Sequence, residues 1–101
     1  MFKNIDKELE KIGFIKLDGE DKESKYGVYY RRENKEYGYF QRLDICNKLS
    51  GRHLIMSYQE DTNASGFNNS IGLTYHEMKL VLKKYKQMCH RYKWKQIKEV
   101  N

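Results

Sequence analysis

Thr74-Tyr75-His76-Glu77 starts a helix, and that helix limits what the rest of the chain can build. The Thr74 hydroxyl can accept from the Glu77 N–H while the Glu77 carboxylate reaches back to the Thr74 N–H; Leu73 and Met78 hold the two positions of a hydrophobic staple. Downstream, Met78, Val81, Leu82, Tyr85, Met88, Cys89 and Tyr92 fall into one apolar stripe about 120° wide at ~100° per residue, so the spacing predicts a helix over about 75–93. Trp94 and Ile97 either continue it or pack back on the body. A stripe that wide must be buried against a second apolar layer.

The middle of the chain supplies that layer. Three runs, about 26–33, 37–47 and 52–60, read as strands separated by turns at Glu33-Asn34-Lys35-Glu36 and Lys48-Leu49-Ser50-Gly51. With Asn34-Lys35 as a two-residue loop, Tyr30 lies opposite Tyr39 and Val28 opposite Gln41. One face then holds Tyr26, Val28, Tyr30, Tyr37, Tyr39, Leu43 and Ile45, and an even-length second turn adds Leu54, Met56 and Tyr58. Before the strands, Phe2, Ile5, Leu9 and Ile12 form one face of a short helix over about 3–12. Gly13 is placed to end it as a C′ glycine, with Phe14 at the C″ position. The charged stretch 18–25 and the polar stretch 61–73 read as loops. The expected fold is therefore α+β in the order α-β-β-β-α: a three-stranded antiparallel meander with two helices packed on one face, residues 1–101 forming one domain.

Several function classes find little support. At 101 residues the chain can bury roughly two-thirds of its unfolded surface, enough for one modest core without a metal or disulfide framework. The stretch Met1–Lys7 lacks the apolar run of a signal peptide, no segment approaches the ~20 apolar residues of a membrane span, and Cys46 and Cys89 are too few for a disulfide framework. A reduced, cytoplasmic protein with no membrane association is expected. His76 and Cys89-His90 lack the spacing of a zinc site, and no phosphate-cradling glycine loop is present. Asp21, Glu33 and Lys35 match a nuclease-like carboxylate–carboxylate–lysine pattern only across a turn, and no nucleophile accompanies His53, Asp44 and Cys46. The expectation is a protein that is not an enzyme and has no cofactor and no metal.

Charge points towards binding. Residues 1–73 carry twelve Lys/Arg and twelve Asp/Glu, so the whole net charge of +6 arises from residues 74–101. Lys79, Lys83, Lys84, Lys86, Arg91, Lys93 and Lys95 flank the apolar stripe on its two sides, with Lys79, Lys83, Lys86, His90 and Lys93 on one and Lys84, Arg91 and Lys95 on the other. Such a helix attracts phosphate backbones, although a solvated Lys-rich helix has the same look. The open face of the sheet is the second candidate: Tyr29 opposite Phe40, Arg31 and Arg42 diagonal to them, and His53 alongside. Rings and guanidinium planes on an open sheet can stack and clamp a single strand. The same face equally fits a host protein or a second copy of the chain, as a homodimer. Nucleic acid and protein thus both stand as partners.

The order α-β-β-β-α is similar to that of the double-stranded-RNA-binding domain, which would read duplex RNA through its first helix, first strand–strand loop and a lysine cluster opening its second helix. Here Glu33-Asn34-Lys35-Glu36 and Thr74-Tyr75-His76-Glu77 carry none of those elements, so the likeness is topological and no residue role transfers. The runs Tyr39-Phe40-Gln41-Arg42-Leu43-Asp44-Ile45, Ser50-Gly51-Arg52-His53-Leu54-Ile55 and Gly72-Leu73-Thr74 resemble small proteins of prophages and mobile elements of Gram-positive bacteria. That resemblance implies a cytosolic accessory protein acting on nucleic acid or on a host protein, with no activity attached.

Overall fold

A computed structural model describes residues 4–48, 50–60 and 69–95. The elements are α1 (Ile5–Lys11), β1 (Ile15–Lys16), β2 (Gly27–Asn34), β3 (Tyr39–Asn47), β4 (His53–Gln59) and α2 (Tyr75–Tyr92). The strands form one antiparallel sheet in the order β1-β2-β3-β4. The class is α+β, but the sheet has four strands rather than three. Ile15 and Lys16 pair with Arg31 and Tyr30, and the Leu17 N–H continues the edge by donating to the Tyr29 carbonyl at 2.9 Å. Two residues are too few to show an alternating pattern.

α1 is short and capped at both ends. The Asn4 side chain accepts from the Lys7 N–H. At the other end Gly13 takes φ +96°, its N–H donates to the Glu10 carbonyl, and the Phe14 N–H donates to the Leu9 carbonyl. This is the Schellman arrangement that Gly13-Phe14 announces, and it sends the fully buried Phe14 into the core. The core combines Ile5 and Leu9 of α1, Val28 and Tyr30 of β2, Leu43 and Ile45 of β3, and Leu80, Val81 and Met88 of α2. Both helices therefore cover the same face of the sheet.

Registers shift in two ways with different consequences. Asn34 pairs with Tyr39, so the β2–β3 loop is Lys35–Gly38, four residues instead of two. Gly38 adopts φ +70°, its N–H reaches the Asn34 carbonyl, and the Asn34 side chain accepts from the Tyr37 N–H. Pairing moves by an even number, so Val28, Tyr30, Leu43 and Ile45 keep their common face. Tyr37 leaves it for the exposed turn, and Tyr26, just outside β2, is also exposed.

The β3–β4 connection spans residues 48–52, an odd number, and reverses the parity of β4. Ile45 pairs with Ile55 and Asn47 with His53. Ile55, His53 and Ser57 thus face the helices, while Leu54, Met56 and Tyr58 lie on the open side, opposite to the expected placement. Several inner polar groups find partners there, although His53 Nε2 and Asn47 Oδ1 are buried without one among the described residues. Gln41 Nε2 donates to Ser57 Oγ at 2.8 Å, Arg32 donates to Gln41 Oε1, and His53 Nδ1 lies 2.6 Å from the Tyr85 hydroxyl.

α2 begins at the Thr74–Glu77 capping box, with both reciprocal bonds formed. Its buried residues are Glu77, Leu80, Val81, Lys84 and Met88, a face turned by roughly 85° from the centre of the apolar stripe at ~100° per residue. Leu80 goes in and Leu82 stays out, 43% exposed. Lys93 ends the helix in a left-handed conformation, and Trp94 folds back to donate its indole N–H to the Lys25 carbonyl at 2.7 Å. Ile97 and the first part of the 61–73 loop, residues 61–68, lie outside the described residues. The described end of that loop is not irregular: Ser70 bridges Tyr58, and the Ile71 N–H donates to the Ser57 carbonyl along the edge of β4.

Candidate nucleic-acid interface

The rotation of α2 sorts its cations into two populations. Lys84 is fully buried. Its ammonium lies 3.1 Å from Glu23 and 3.2 Å from Asp6, and donates to Gln87 at 2.8 Å. Lys16 of β1 contacts the same two carboxylates, Glu23 at 2.9 Å and Asp6 at 3.0 Å. Arg91 and the Tyr92 hydroxyl hold the other oxygen of Glu23, and the buried Tyr30 hydroxyl donates to Asp6. Three cations thus converge on two carboxylates between α1, β1 and α2.

Burial alone would raise the pKa of both acids. For Asp6, the Tyr30 hydroxyl and the Lys16 and Lys84 ammoniums outweigh burial and hold the carboxyl below its usual range. For Glu23, Lys16, Tyr92, Arg91 and Lys84 together do the same, more strongly. Burial, with the Asp6 bond added, pushes the Tyr30 hydroxyl far up. Lys84 and Arg91 are therefore corrected as phosphate contacts: one is inaccessible and the other is held by Glu23.

The opposite side of α2 is different. Lys79, Lys83 and Lys86 are exposed there and form no salt bridge among the described residues. Tyr75, 81% exposed, stands one turn before Lys79, whose ammonium lies 5.3 Å from its ring. The only carboxylate of the helix, Glu77, is turned away from this side. It contacts Arg32 at 2.6 Å and the Thr74 N–H at 2.8 Å. Burial raises the Glu77 pKa, but the Thr74 N–H and Arg32 outweigh it and hold it low. Lys93 and Lys95 are exposed past the end of the helix.

On the open face of the sheet, register brings the expected residues together in different pairs. Tyr29 lies opposite Asp44 instead of Phe40, and Arg31 lies directly opposite Arg42. Like charges so placed repel, and each is neutralised. Arg31 pairs with Glu60 at 2.7 Å with its guanidinium 3.7 Å from the Phe40 ring centre. Arg42 pairs with Asp44 and Asp21 at 3.3 and 3.4 Å and lies 5.7 Å from Tyr29. The Tyr58 hydroxyl donates to Asp44 at 2.6 Å. Burial first, then the neighbouring Cys46 and Asp44, pushes the Tyr29 hydroxyl up to about 12. The rings and guanidiniums of this face are already engaged with one another. His53 is corrected away from it: it sits on the helix side, between Tyr85 and Trp94, with ring centroids 5.5 and 5.3 Å distant.

Sequence reasoning missed Asp6, Lys16 and Glu23 as one cluster. The available signal was the line Leu80, Lys84, Met88, three residues at four-residue steps of which the outer two are apolar. Among the described residues no three His, Cys, Asp or Glu side chains are grouped to hold a metal ion, and no helix is long and apolar enough to cross a membrane. Comparison with known proteins finds no matching family model, no matching curated protein and no matching solved structure.

Proposed function

We propose that this protein is a small non-enzymatic binding module that contacts nucleic acid through the outward side of α2, with Lys79, Lys83 and Lys86 on phosphates and Lys93 and Lys95 extending the contact. One observation carries the proposal: Glu77 is turned inward to Arg32, so those three lysines share a solvent face on which α2 has no acidic residue. Exposed Tyr75 adds a ring at the start of the same face. Contact of this kind is sequence-independent. Three to five neutralised phosphates give a log–log salt slope of about −2.7 to −4.5 on duplex DNA, and a Kd of order 10⁻⁴ to 10⁻⁶ M at physiological salt.

The test is a triple variant, Lys79→Glu, Lys83→Glu and Lys86→Glu, assayed on a labelled mixed-sequence duplex. Binding is expected to vanish while the melting transition stays within a few degrees, because exposed charges contribute little to stability. Undiminished duplex affinity, or a flat salt dependence in the unaltered protein, defeats the proposal. A second reading, a protein partner or a second copy on the open sheet face, is favoured by the exposed apolar Leu54. It calls for association that Leu54→Asp abolishes and added salt leaves intact.

A further inference from the structure

We propose that the corner between the end of α2 and the β3–β4 turn is a pocket for a nucleoside phosphate, with lysines on the phosphate and Tyr26 against the base. The pocket has a volume of about 400 Å³ and is lined by Lys25, Tyr26, Lys48, Lys93, Trp94 and Lys95, among others. That size falls within the roughly 300–1,000 Å³ of small-ligand sites. The inference shares with the reading above the preference for phosphate and the residues Lys93 and Lys95, but Lys25, Tyr26 and Lys48 belong to the pocket alone, and Lys79, Lys83 and Lys86 do not line it.

The four lysines come from three separate segments, and the fold brings them together for identifiable reasons. Lys93 takes φ 57° and ψ 41°, a left-handed backbone that a non-glycine residue rarely adopts. The turn it makes folds Trp94 back, 8% exposed, against His53 and Tyr85. The indole N–H then holds the Lys25 carbonyl, which ties the start of β2 to the end of α2. Lys48 approaches from the β3–β4 turn, where its N–H donates to the Arg52 carbonyl and its carbonyl accepts from the Gly51 N–H.

Among the described residues no carboxylate lines this pocket, and none of its four lysines forms a salt bridge. The inner cluster around Lys84 is the internal control: there the fold supplies two carboxylates for three cations. Like charges converging in a concave site focus a positive potential and attract an anion. The C-terminal end of α2 contributes about half a negative charge, which four ammoniums outweigh.

The aromatic lining narrows the anion to one carrying a base. Tyr26 is half exposed, with the Lys25 ammonium 5.2 Å from its ring centre, so a ring face and a cation are offered side by side. Asn47 also lines the pocket, and its Oδ1 is buried without a partner among the described residues. A carboxamide with unused hydrogen-bonding capacity is suited to a base edge or a ribose hydroxyl.

Trp94, the chain's single tryptophan, is a built-in reporter. Its fluorescence is followed while the full chain is titrated separately with AMP, inorganic phosphate and a short 5′-phosphorylated single strand. A saturable change with AMP at sub-millimolar concentration is expected, weakened at least roughly tenfold by Lys25→Ala combined with Lys48→Ala. Tyr26→Ala should weaken AMP and leave inorganic phosphate unchanged. A response to the oligonucleotide stronger than to AMP identifies the ligand as a strand end; equal responses identify the free nucleotide. No saturable response to AMP or the oligonucleotide, an unchanged response in the double variant, or phosphate bound as tightly as AMP overturns the proposal. The triple reversal on the outward side of α2 should leave the Trp94 response within about twofold. Duplex binding and the pocket response can therefore fail independently.

Discussion

Lys83 and Lys84 are neighbours in sequence and opposites in the fold. Lys84 is sealed between α1 and α2 with two carboxylates, whereas Lys83 stands in solvent with Lys79 and Lys86. The comparison separates two meanings of the same side chain. On the inner side each ion has lost water and recovers the cost only through its partners, so the cluster acts on stability. On the outer side the ions keep their water, contribute little to stability, and remain available to a polyanion. Net charge counts both sides alike. Only the exposed side can recruit a ligand.

The sharpest way to break this contrast is Glu23→Ala. It leaves Lys16, Lys84 and Arg91 facing Asp6 alone, and should cost about 3–5 kcal/mol in denaturant unfolding. Lys84→Met should cost clearly less, because two cations then face two carboxylates and the methionine fills the space. Equal losses in the two variants would mean that the cluster is held by packing and not by charge balance.

The same inner-versus-outer contrast exists across β4, and a pair of variants tests it. Ile55→Asp places a carboxylate on the helix-covered face and should cost about 2–4 kcal/mol, whereas Leu54→Asp should cost less than about 1 kcal/mol. The reverse order in thermal melts would restore the even-length β3–β4 turn.

Acid provides the mildest perturbation. Asp6 and Glu23 have pKa values lowered in the folded state, so the stability they contribute is present above their ordinary values near 4 and is lost as pH falls through and below that range. Unfolding free energy should decline below about pH 4.5, and Glu23→Gln should flatten that decline. An acid limb of unchanged slope in the variant would remove Glu23 from the account.

How far the fold was legible follows from which signals were local. The Thr74–Glu77 box and the Gly13-Phe14 stop act within one helical turn, and both appear as expected. The common face of β2 and β3 survived a four-residue slip because parity, not register, decides which side a residue takes. β4 failed on the same rule. Leu54, Met56 and Tyr58 look like the inner set, but a five-residue connection turns them outward, and Tyr85 and Gln41 supply the partners that make His53 and Ser57 acceptable inside. In the candidate site, Lys79, Lys83 and Lys86 kept their exposure, while Lys84 and Arg91 were withdrawn by acids 78 and 68 residues earlier in the chain.

By itself the sequence determined the α+β class, both helix termini, the common face of β2 and β3, and the excess of positive charge at the C-terminal end, because each depends on spacing or composition within a short stretch. Tertiary structure alone decided the parity of β4, the added edge strand and the rotation of α2. These are settled by pairing and packing between distant segments. Burial of a lysine is tolerable only where another part of the chain delivers a carboxylate to it, so which cations of α2 stay free for a partner was decided by where Asp6 and Glu23 came to rest.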